Sequence, residues 1–371
     1  MDAFRAAHGQ GPDWHEACEA CVEQLRDLPG SADLGFVYAS DPLAEALDLI
    51  VARLREATRV RDWVGTGGAG VCASGREDFD RGALVALATS LPADSYRVFD
   101  GFAREEGDID PEIADWARET GVGVGVVHGD SRQLGSPDVL ARLSDRSGAF
   151  LVGGLTSSGS PVQIARQPTE GALSGVMICA EVPVITGLSQ GCVPIGATHE
   201  VTAARGFWAL AIDGRPALDV LKEEIGEVLA RNLERIGGFI HIALPVKGSD
   251  RPDYLVRNLI GVDAERGALA VAHNLRRGDR LMFVKRDGST AQSDLQRMLD
   301  DLKARAGGRR IRGALYHTCV ARGPHMFGPE SAELGMIERS IGPVPLAGFF
   351  TNGEIFCDRL YAYTGVLTLF L

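Results

Sequence analysis

GALYHTCVA, residues 313–321, opens the stretch that decides the fold, because the rest of the chain repeats its pattern. The stretch predicts a strand, a helix from about Ser331, the strand PLAGFF (345–350) and the apolar strand AYTGVLTLFL (362–371). Short runs rich in β-branched and aromatic residues, bounded by Gly and Pro, are typical of strands.

The same order of strand, helix, strand and apolar strand occurs twice earlier. The first copy has LGFVYAS (34–40), a helix from Pro42 to about Ala57, DWVGTGG (62–68) and GALVALATS (82–90). The second has GVGVVHG (123–129), a helix from about Pro137, AFLVGG (149–154) and GALSGVMICA (171–180). Repeated strand-helix-strand-strand units predict an α/β (α+β) fold with mixed sheets.

The segment between the second and third copies predicts a domain boundary, so we expect two domains after an N-terminal helix. The helix is placed at 1–30, the first domain at 31–205 and the second domain at 206–371. The second domain is expected to open with GFWALAIDG and a D-G turn, followed by a helix after Pro216. Four apolar runs between residues 239 and 287 predict an antiparallel meander.

Composition limits the function classes. The 371 residues carry a net charge of −12 without an acidic tail, which argues against nucleic acid and anionic membranes as partners. The N-terminus lacks the basic and apolar regions of a signal peptide, so we expect a cytoplasmic protein. The seven cysteines are scattered, and the Cys18–Cys21 pair fits the apolar face of a helix better than a zinc site.

Neither a dinucleotide site nor a metal site is supported by the sequence. Gly65–Gly70 matches G-x-G-x-x-G, but a hairpin-like sequence follows where a dinucleotide site needs a helix. The histidines do not cluster at metal-ligand spacing, so no metal is predicted. No cofactor is predicted either, although non-covalent haem held by one His or Cys remains open.

A small or aromatic tip follows the second strand of each copy. Glycine lets backbone approach a neighbour or a ligand closely. We therefore predict that the tips around Gly67 and Gly68, around Gly153 and Gly154, and at Phe350 face a common cleft. The alternative is that each tip is only a turn between strands.

The last copy also carries reactive and charged side chains. Cys319 and Arg322 lie at the end of one strand, and Glu354 follows the next strand in an apolar setting. Because a lone buried charge is costly, we expect Arg322 and Glu354 to be paired with each other, with backbone or with a ligand. Cys319 acts as a nucleophile only if a base lies nearby, and no oriented histidine is predicted.

These motifs, in this order, resemble the FIST family (F-box and intracellular signal transduction). The C-terminal half resembles the FIST C domain through RPALDVL, YLVRNLIGVD, Cys319–Gly323 and PLAGFFTNGEI. The N-terminal half resembles the FIST N domain through VGTGGAGV, FLVGGLTSSG and SQGCVPIGATHEVTAARG. The motifs add Thr156, Arg257, Asn258 and Asn352 to the candidate ligand-binding residues, and no catalytic or metal-binding residue is assigned.

The resemblance implies a sensory module that binds a small ligand such as an amino acid. Some members of the family bind haem and others carry an F-box, but we expect neither an F-box nor an output domain here. The prediction is therefore a small-ligand sensor acting through a separate signalling protein. An enzyme using Cys319 and a haem-binding gas sensor are the alternatives, and the non-enzymatic interpretation is favoured.

Overall fold

A computed structural model describes residues 4–28, 32–79, 81–92, 94–102, 109–134, 138–169, 173–230, 238–246 and 253–371. It contains 27% helix and 45% strand, arranged in mixed sheets, which confirms the predicted α/β class. The chain forms two compact units, residues 1–190 with 292–371 and residues 191–291. The boundary predicted from the sequence, between the domains at 31–205 and 206–371, remains a prediction.

The first unit contains the repeated copies, each longer than the sequence predicts. The first copy comprises β1 (Phe4–Gln10), α1 (Trp14–Gln24), β2 (Leu34–Ser40), α2 (Asp41–Ala44), α3 (Leu47–Thr58), β3 (Asp62–Gly68), β4 (Gly70–Ala73), β5 (Arg76–Phe79) and β6 (Ala83–Thr89). The second comprises β7 (Tyr96–Phe102), α4 (Pro111–Thr120), β8 (Val122–Gly129), α5 (Asp138–Ser147), β9 (Phe150–Leu155), β10 (Gln163–Ala165), β11 (Gln167–Thr169) and β12 (Leu173–Cys179).

The third copy is interrupted after its first strand, β13 (Val184–Gln190). The second unit follows, with β14 (Cys192–Arg205), β15 (Trp208–Ile212), β16 (Arg215–Pro216), α6 (Ala217–Ala230), β17 (Ile240–Pro245), β18 (Tyr254–Asp263), β19 (Ala268–Val271) and β20 (Arg280–Arg286). The third copy resumes with α7 (Gly288–Ala306), β21 (Gly313–Cys319), α8 (Pro324–Phe327), α9 (Ala332–Ile341), β22 (Leu346–Thr351), β23 (Glu354–Cys357), β24 (Arg359–Tyr361) and β25 (Thr364–Phe370).

In the described parts of the first unit, each copy builds one six-stranded sheet and lends a hairpin to another copy. The strand orders are β1-β6-β2-β3-β10-β11, β7-β12-β8-β9-β23-β24 and β13-β25-β21-β22-β4-β5. The hairpin β4–β5 of the first copy thus extends the sheet of the third, β10–β11 extends the first, and β23–β24 extends the second. This cyclic exchange draws the three copies together at the ends of β3, β9 and β22.

One glycine recurs at the same register in each copy, in the second strand of the parallel pair. The pairs are Gly65 with Val37, Gly153 with Val127, and Gly348 with Tyr316. A Cβ atom at any of these glycines would overlap the carbonyl oxygen of its partner residue. Glycine is therefore required by the close approach of the two parallel strands.

Several sequence predictions need correction. The segment predicted as one helix at 1–30 contains strand β1 before α1, and the helix predicted from Pro42 to Ala57 is divided into α2 and α3. In the second unit, β17, β18 and β19 form the predicted meander, but β20 lies beside β17. The predicted helix start at Pro137 and strand start at Gly171 lie outside the described residues.

The second unit is a sheet packed against a helix. Its described strands follow the order β14-β20-β17-β18-β19-β15-β16, and Leu218 and Leu221 of α6 are buried in its apolar core. The predicted D-G turn joins β15 to β16 through Asp213 and Gly214, both at positive φ. Positive φ at both central residues is typical of the tight turn in a two-residue hairpin.

Candidate functional site

The predicted tips of the three copies meet within the first unit. The Thr156 hydroxyl, after β9, donates a 2.7 Å hydrogen bond to the carbonyl of Gly67 at the end of β3. The Ser157 hydroxyl accepts from the Ala69 N–H at 2.7 Å and donates to the Phe350 carbonyl of β22 at 2.5 Å. The structure thus brings the three tips together, and we call this arrangement of residues 67–69, 156–157 and 350–354 the tip junction.

The tip junction is packed rather than open. A Cβ on Gly68 would lie 2.8 Å from the Phe350 carbonyl oxygen, and a Cβ on Gly154 would overlap Thr351. Both glycines and Phe350 are buried, whereas Asn352 is exposed. The prediction of an open cleft at these residues is therefore wrong, because the exchanged hairpins press the tips together. Only the rim of the junction, with Asn352, faces solvent.

Arg322 is paired with a residue that the sequence analysis missed. Its Nη2 and Nε atoms lie 2.7 and 2.8 Å from Oε1 of Glu333, and both side chains are fully buried. Burial alone would lower the pKa of Arg322, but the charges and hydrogen bonds of Glu333 and Tyr316 together outweigh burial and raise that pKa above its usual value. Of the expected partners, a direct pair of Arg322 with Glu354 is wrong, because Glu333 in the first turn of α9 takes that place.

Both carboxylate oxygens of Glu333 accept further hydrogen bonds. The Tyr316 hydroxyl donates to Oε1 at 2.5 Å, and the Gly323 N–H donates to Oε2 at 2.9 Å. Arg322 reaches Ser189 of β13 through weaker contacts of 3.3 and 3.4 Å. This network joins β13, β21 and α9, so Arg322 has a structural role in the third copy.

Glu354 is a fully buried carboxyl group at the tip junction. Its Oε1 accepts from the Thr351 hydroxyl at 2.5 Å, and its Oε2 accepts from the Thr364 hydroxyl and N–H at 2.7 and 3.0 Å. Burial raises the pKa of Glu354 to about 7, although these bonds and the nearby Arg322 charge act in the opposite direction. A buried group that titrates near neutral pH is a candidate functional residue.

Cys319 does not have the properties of a nucleophile. It is buried at the end of β21, and burial together with the neighbouring Glu354 charge raises its pKa well above the ordinary thiol value. A nucleophilic thiol needs a lowered pKa and access to its substrate. The geometry thus argues against the enzyme alternative based on this residue.

We expect Cys319 to resist alkylation in the folded protein. Brief treatment with iodoacetamide at neutral pH should label the partly exposed Cys357 first, with Cys319 modified only after unfolding. Peptide mass spectrometry measures this order, and the chain unfolded in guanidinium, where all seven thiols should react, is the control. Modification of Cys319 ahead of Cys357 in the folded protein would restore the enzyme interpretation.

A second buried cluster joins all three copies and was not predicted. The Tyr38 hydroxyl lies 3.1 Å from Nε2 of His128 and 3.2 Å from Nε2 of His317. Since a hydroxyl has one proton, it donates to one imidazole and accepts from the other, so the two histidines have opposite tautomers. The ring of Phe349 stacks on Tyr38 with centroids 4.9 Å apart.

Aligning the copies by their central strands would have revealed this cluster. Tyr38, His128 and His317 each follow the residue whose carbonyl faces the recurrent glycine. Burial lowers the pKa of His128 to about 3 and that of His317 well below its ordinary range. Burial also raises the pKa of Tyr38, so all three rings are neutral at physiological pH.

Haem does not fit these donors. His128 and His317 each direct Nε2 to Tyr38 inside a ring-lined core, so neither nitrogen is presented to an iron atom. The raised pKa of Cys319 disfavours the thiolate that an axial cysteine ligand requires. We therefore derive no chemistry through haem at these residues.

Two candidate residues belong to the second unit. Arg257 and Asn258 lie on β18, where they pair with Ile242 and His241 of β17. Asn258 is exposed and Arg257 is partly buried. Consecutive strand residues point to opposite faces of a sheet, so these two side chains do not share one face.

Comparison with known proteins identifies the family. The model described as FIST N domain matches residues 33–215, and the model described as FIST C domain matches residues 217–357. The chain therefore belongs to the FIST family, whose domains are generally described as small-ligand-binding sensory domains in signalling. No helix among the described residues has both the length and the apolar character needed to cross a membrane.

The chain is also similar to mycobacterial proteins. It is 32% identical to "Uncharacterized protein Mb0898c" of Mycobacterium bovis over 246 residues, and to "Uncharacterized protein Rv0628c" of Mycobacterium tuberculosis over 247 residues. Each match spans 62% of this chain and 62% of the relative's length. A chorismatase crystal structure matches with 10% identity and a TM-score of 0.35, covering 100% of this chain and 98% of that one, a likeness that carries no argument.

Proposed function

We propose that this chain is an intracellular sensory protein that binds a small metabolite, such as an amino acid, at the tip junction. We further propose that it passes the binding event to a separate signalling protein. The family supports a small ligand and a sensory role. None of the seven cysteines, all of which lie within the described residues, forms a disulfide, which suits a reducing compartment.

The observation that carries the proposal is the burial and the raised pKa of the Glu354 carboxyl group. Its buried carboxyl, with a pKa of about 7, lies at the junction of three separate tips. A ligand amine that approached this carboxyl would stabilise its charged form. Exposed Asn352, two residues away on the rim, supplies an amide for the polar end of such a ligand.

The packing of the junction suggests how binding is converted into a signal. The tips are held together by hydrogen bonds through Thr156 and Ser157. A ligand reaching Glu354 must displace the Thr351 or Thr364 groups bonded to it, and we propose that this change alters the spacing of the copies. A ligand that binds the altered arrangement more tightly shifts the population towards it.

The test is ligand-induced thermal stabilisation. A panel of amino acids and related metabolites is screened by the shift in Tm, and a ligand at a hundred times its Kd should stabilise the protein by about 2.7 kcal/mol. Glu354→Gln should abolish the shift and Asn352→Ala should reduce it. Glutamine can donate to the Thr351 hydroxyl and accept from Thr364, so this variant should still fold.

Gln296→Ala, on the exposed side of α7, is the matched control and should retain the full shift. Equal stabilisation of the wild type, Glu354→Gln and Asn352→Ala would remove the tip junction as the site. A panel in which no compound raises the Tm would overturn the proposal of a small metabolite.

A further inference from the structure

A pocket lined by arginines lies at the opposite ends of the strands from the tip junction. It has a volume of about 600 Å3 and is lined by Arg55, Arg61, Asp62, Tyr96, Arg97, Arg166 and Gln167. It forms where the start of β3, the start of β7 and the turn between β10 and β11 meet. We call it the arginine pocket.

Asp62 fixes two of these arginines in place. Its carboxylate is almost fully buried, and it accepts from Nε of Arg61 at 3.1 Å and from Nε of Arg166 at 3.0 Å. The Tyr96 hydroxyl donates a third hydrogen bond at 3.0 Å. Arg166 is bound through Nε, so its Nη end remains available, whereas Nη2 of Arg61 also donates to the Tyr96 hydroxyl at 3.2 Å. The Nη atoms of Arg166 have no hydrogen-bond acceptor among the described residues.

The other two arginines are fixed by backbone and by an aromatic ring. Arg55 donates to the carbonyls of Arg61 and Arg166 at 3.2 and 2.5 Å. The guanidinium of Arg97 lies 5.0 Å from the ring centroid of Trp116 and donates to the Tyr96 carbonyl at 2.8 Å. Arginines held in this way lose less rotamer freedom when they bind a ligand.

The charge of the pocket defines its ligand. Four guanidinium groups and one carboxylate line it, within a chain whose net charge is −12. Guanidinium groups bind phosphate oxygens through paired, charge-assisted hydrogen bonds. The volume lies within the range of sites for small molecules and exceeds the needs of a single ion. We propose that the arginine pocket binds a small molecule carrying a phosphate or pyrophosphate group.

The test is calorimetric titration with pyrophosphate at constant ionic strength. Arg61→Gln and Arg166→Gln should each weaken binding at least tenfold, while both variants fold, because these side chains are 72% and 51% exposed. The matched control is Arg309→Gln, in a separate arginine-containing pocket of about 500 Å3, which should bind like the wild type. Equal affinities of Arg166→Gln and Arg309→Gln would overturn the proposal.

Asp62→Asn distinguishes a built site from a patch of positive charge. This change makes the pocket more positive, so a simple charge effect would tighten binding. If Asp62 positions the arginines, the variant should instead bind several-fold more weakly. Tighter binding by Asp62→Asn would contradict the proposal, as would malonate binding to the wild type as tightly as pyrophosphate.

Discussion

Replacing Glu333 by glutamine should lower the free energy of unfolding by roughly 3–5 kcal/mol, as expected when one member of a buried ion pair is removed. The substitution leaves the fully buried guanidinium of Arg322 without its counter-charge. It also weakens the acceptor for Tyr316 and for the Gly323 N–H. Urea unfolding at pH 7.5 measures the change, and Glu330→Gln, on an exposed residue near the start of α9, is the control.

A double variant separates the value of the pair from the cost of breaking it. Arg322→Met combined with Glu333→Leu removes both charges, and replacing a buried pair by apolar residues is often close to neutral. We expect the double variant to be more stable than Glu333→Gln alone. A loss below about 1 kcal/mol in Glu333→Gln, the net value of an ordinary hydrogen bond, would show that the pair is not buried in solution as described.

The fold was predictable where it depends on local pattern. The central strands of the copies are continuous apolar runs, and fully buried strands have this composition. The edge strands β1 and β7 were missed because FRAAHGQ and YRVFDGF mix polar and apolar residues. Only one side of an edge strand is paired, so its sequence is less constrained.

The candidate site was predictable only in part, because it depends on contacts between distant segments. The tips were recognised from their glycines, but the hairpin exchange that presses them together joins strands far apart in sequence. Glu333 was missed because Glu354 was the only acid considered, and helix α9 brings the nearer one to Arg322. Tyr38 was missed because the residues at the same position in the other copies, His128 and His317, are histidines. The three positions share their place in the strand but not their residue type.

The Tyr38–His128–His317 cluster should make stability depend on pH. The folded-state pKa of His128, about 3, lies below the unfolded value of 6.5, so the unfolded state binds a proton more readily. Its contribution is complete above pH 6.5 and is lost as the pH falls towards 3. Between pH 6.5 and pH 4.5 the loss is about 2 kcal/mol for His128, and His317 acts in the same direction.

The wild-type curve alone does not isolate this effect, since burial raises the pKa of Glu354 to about 7 and that of Glu77 to about 8, which favours the folded state at lower pH. The measurement is therefore the stability difference between the wild type and His128→Gln at several pH values. The difference should shrink by about 2 kcal/mol from pH 6.5 to pH 4.5, because the variant no longer has this proton to bind. Gln296→Ala, on an exposed residue that does not titrate, is the control and should follow the wild type throughout. A His128→Gln curve parallel to the wild type would mean that His128 titrates alike in the folded and unfolded states, which a neutral imidazole bonded to Tyr38 inside this core does not allow.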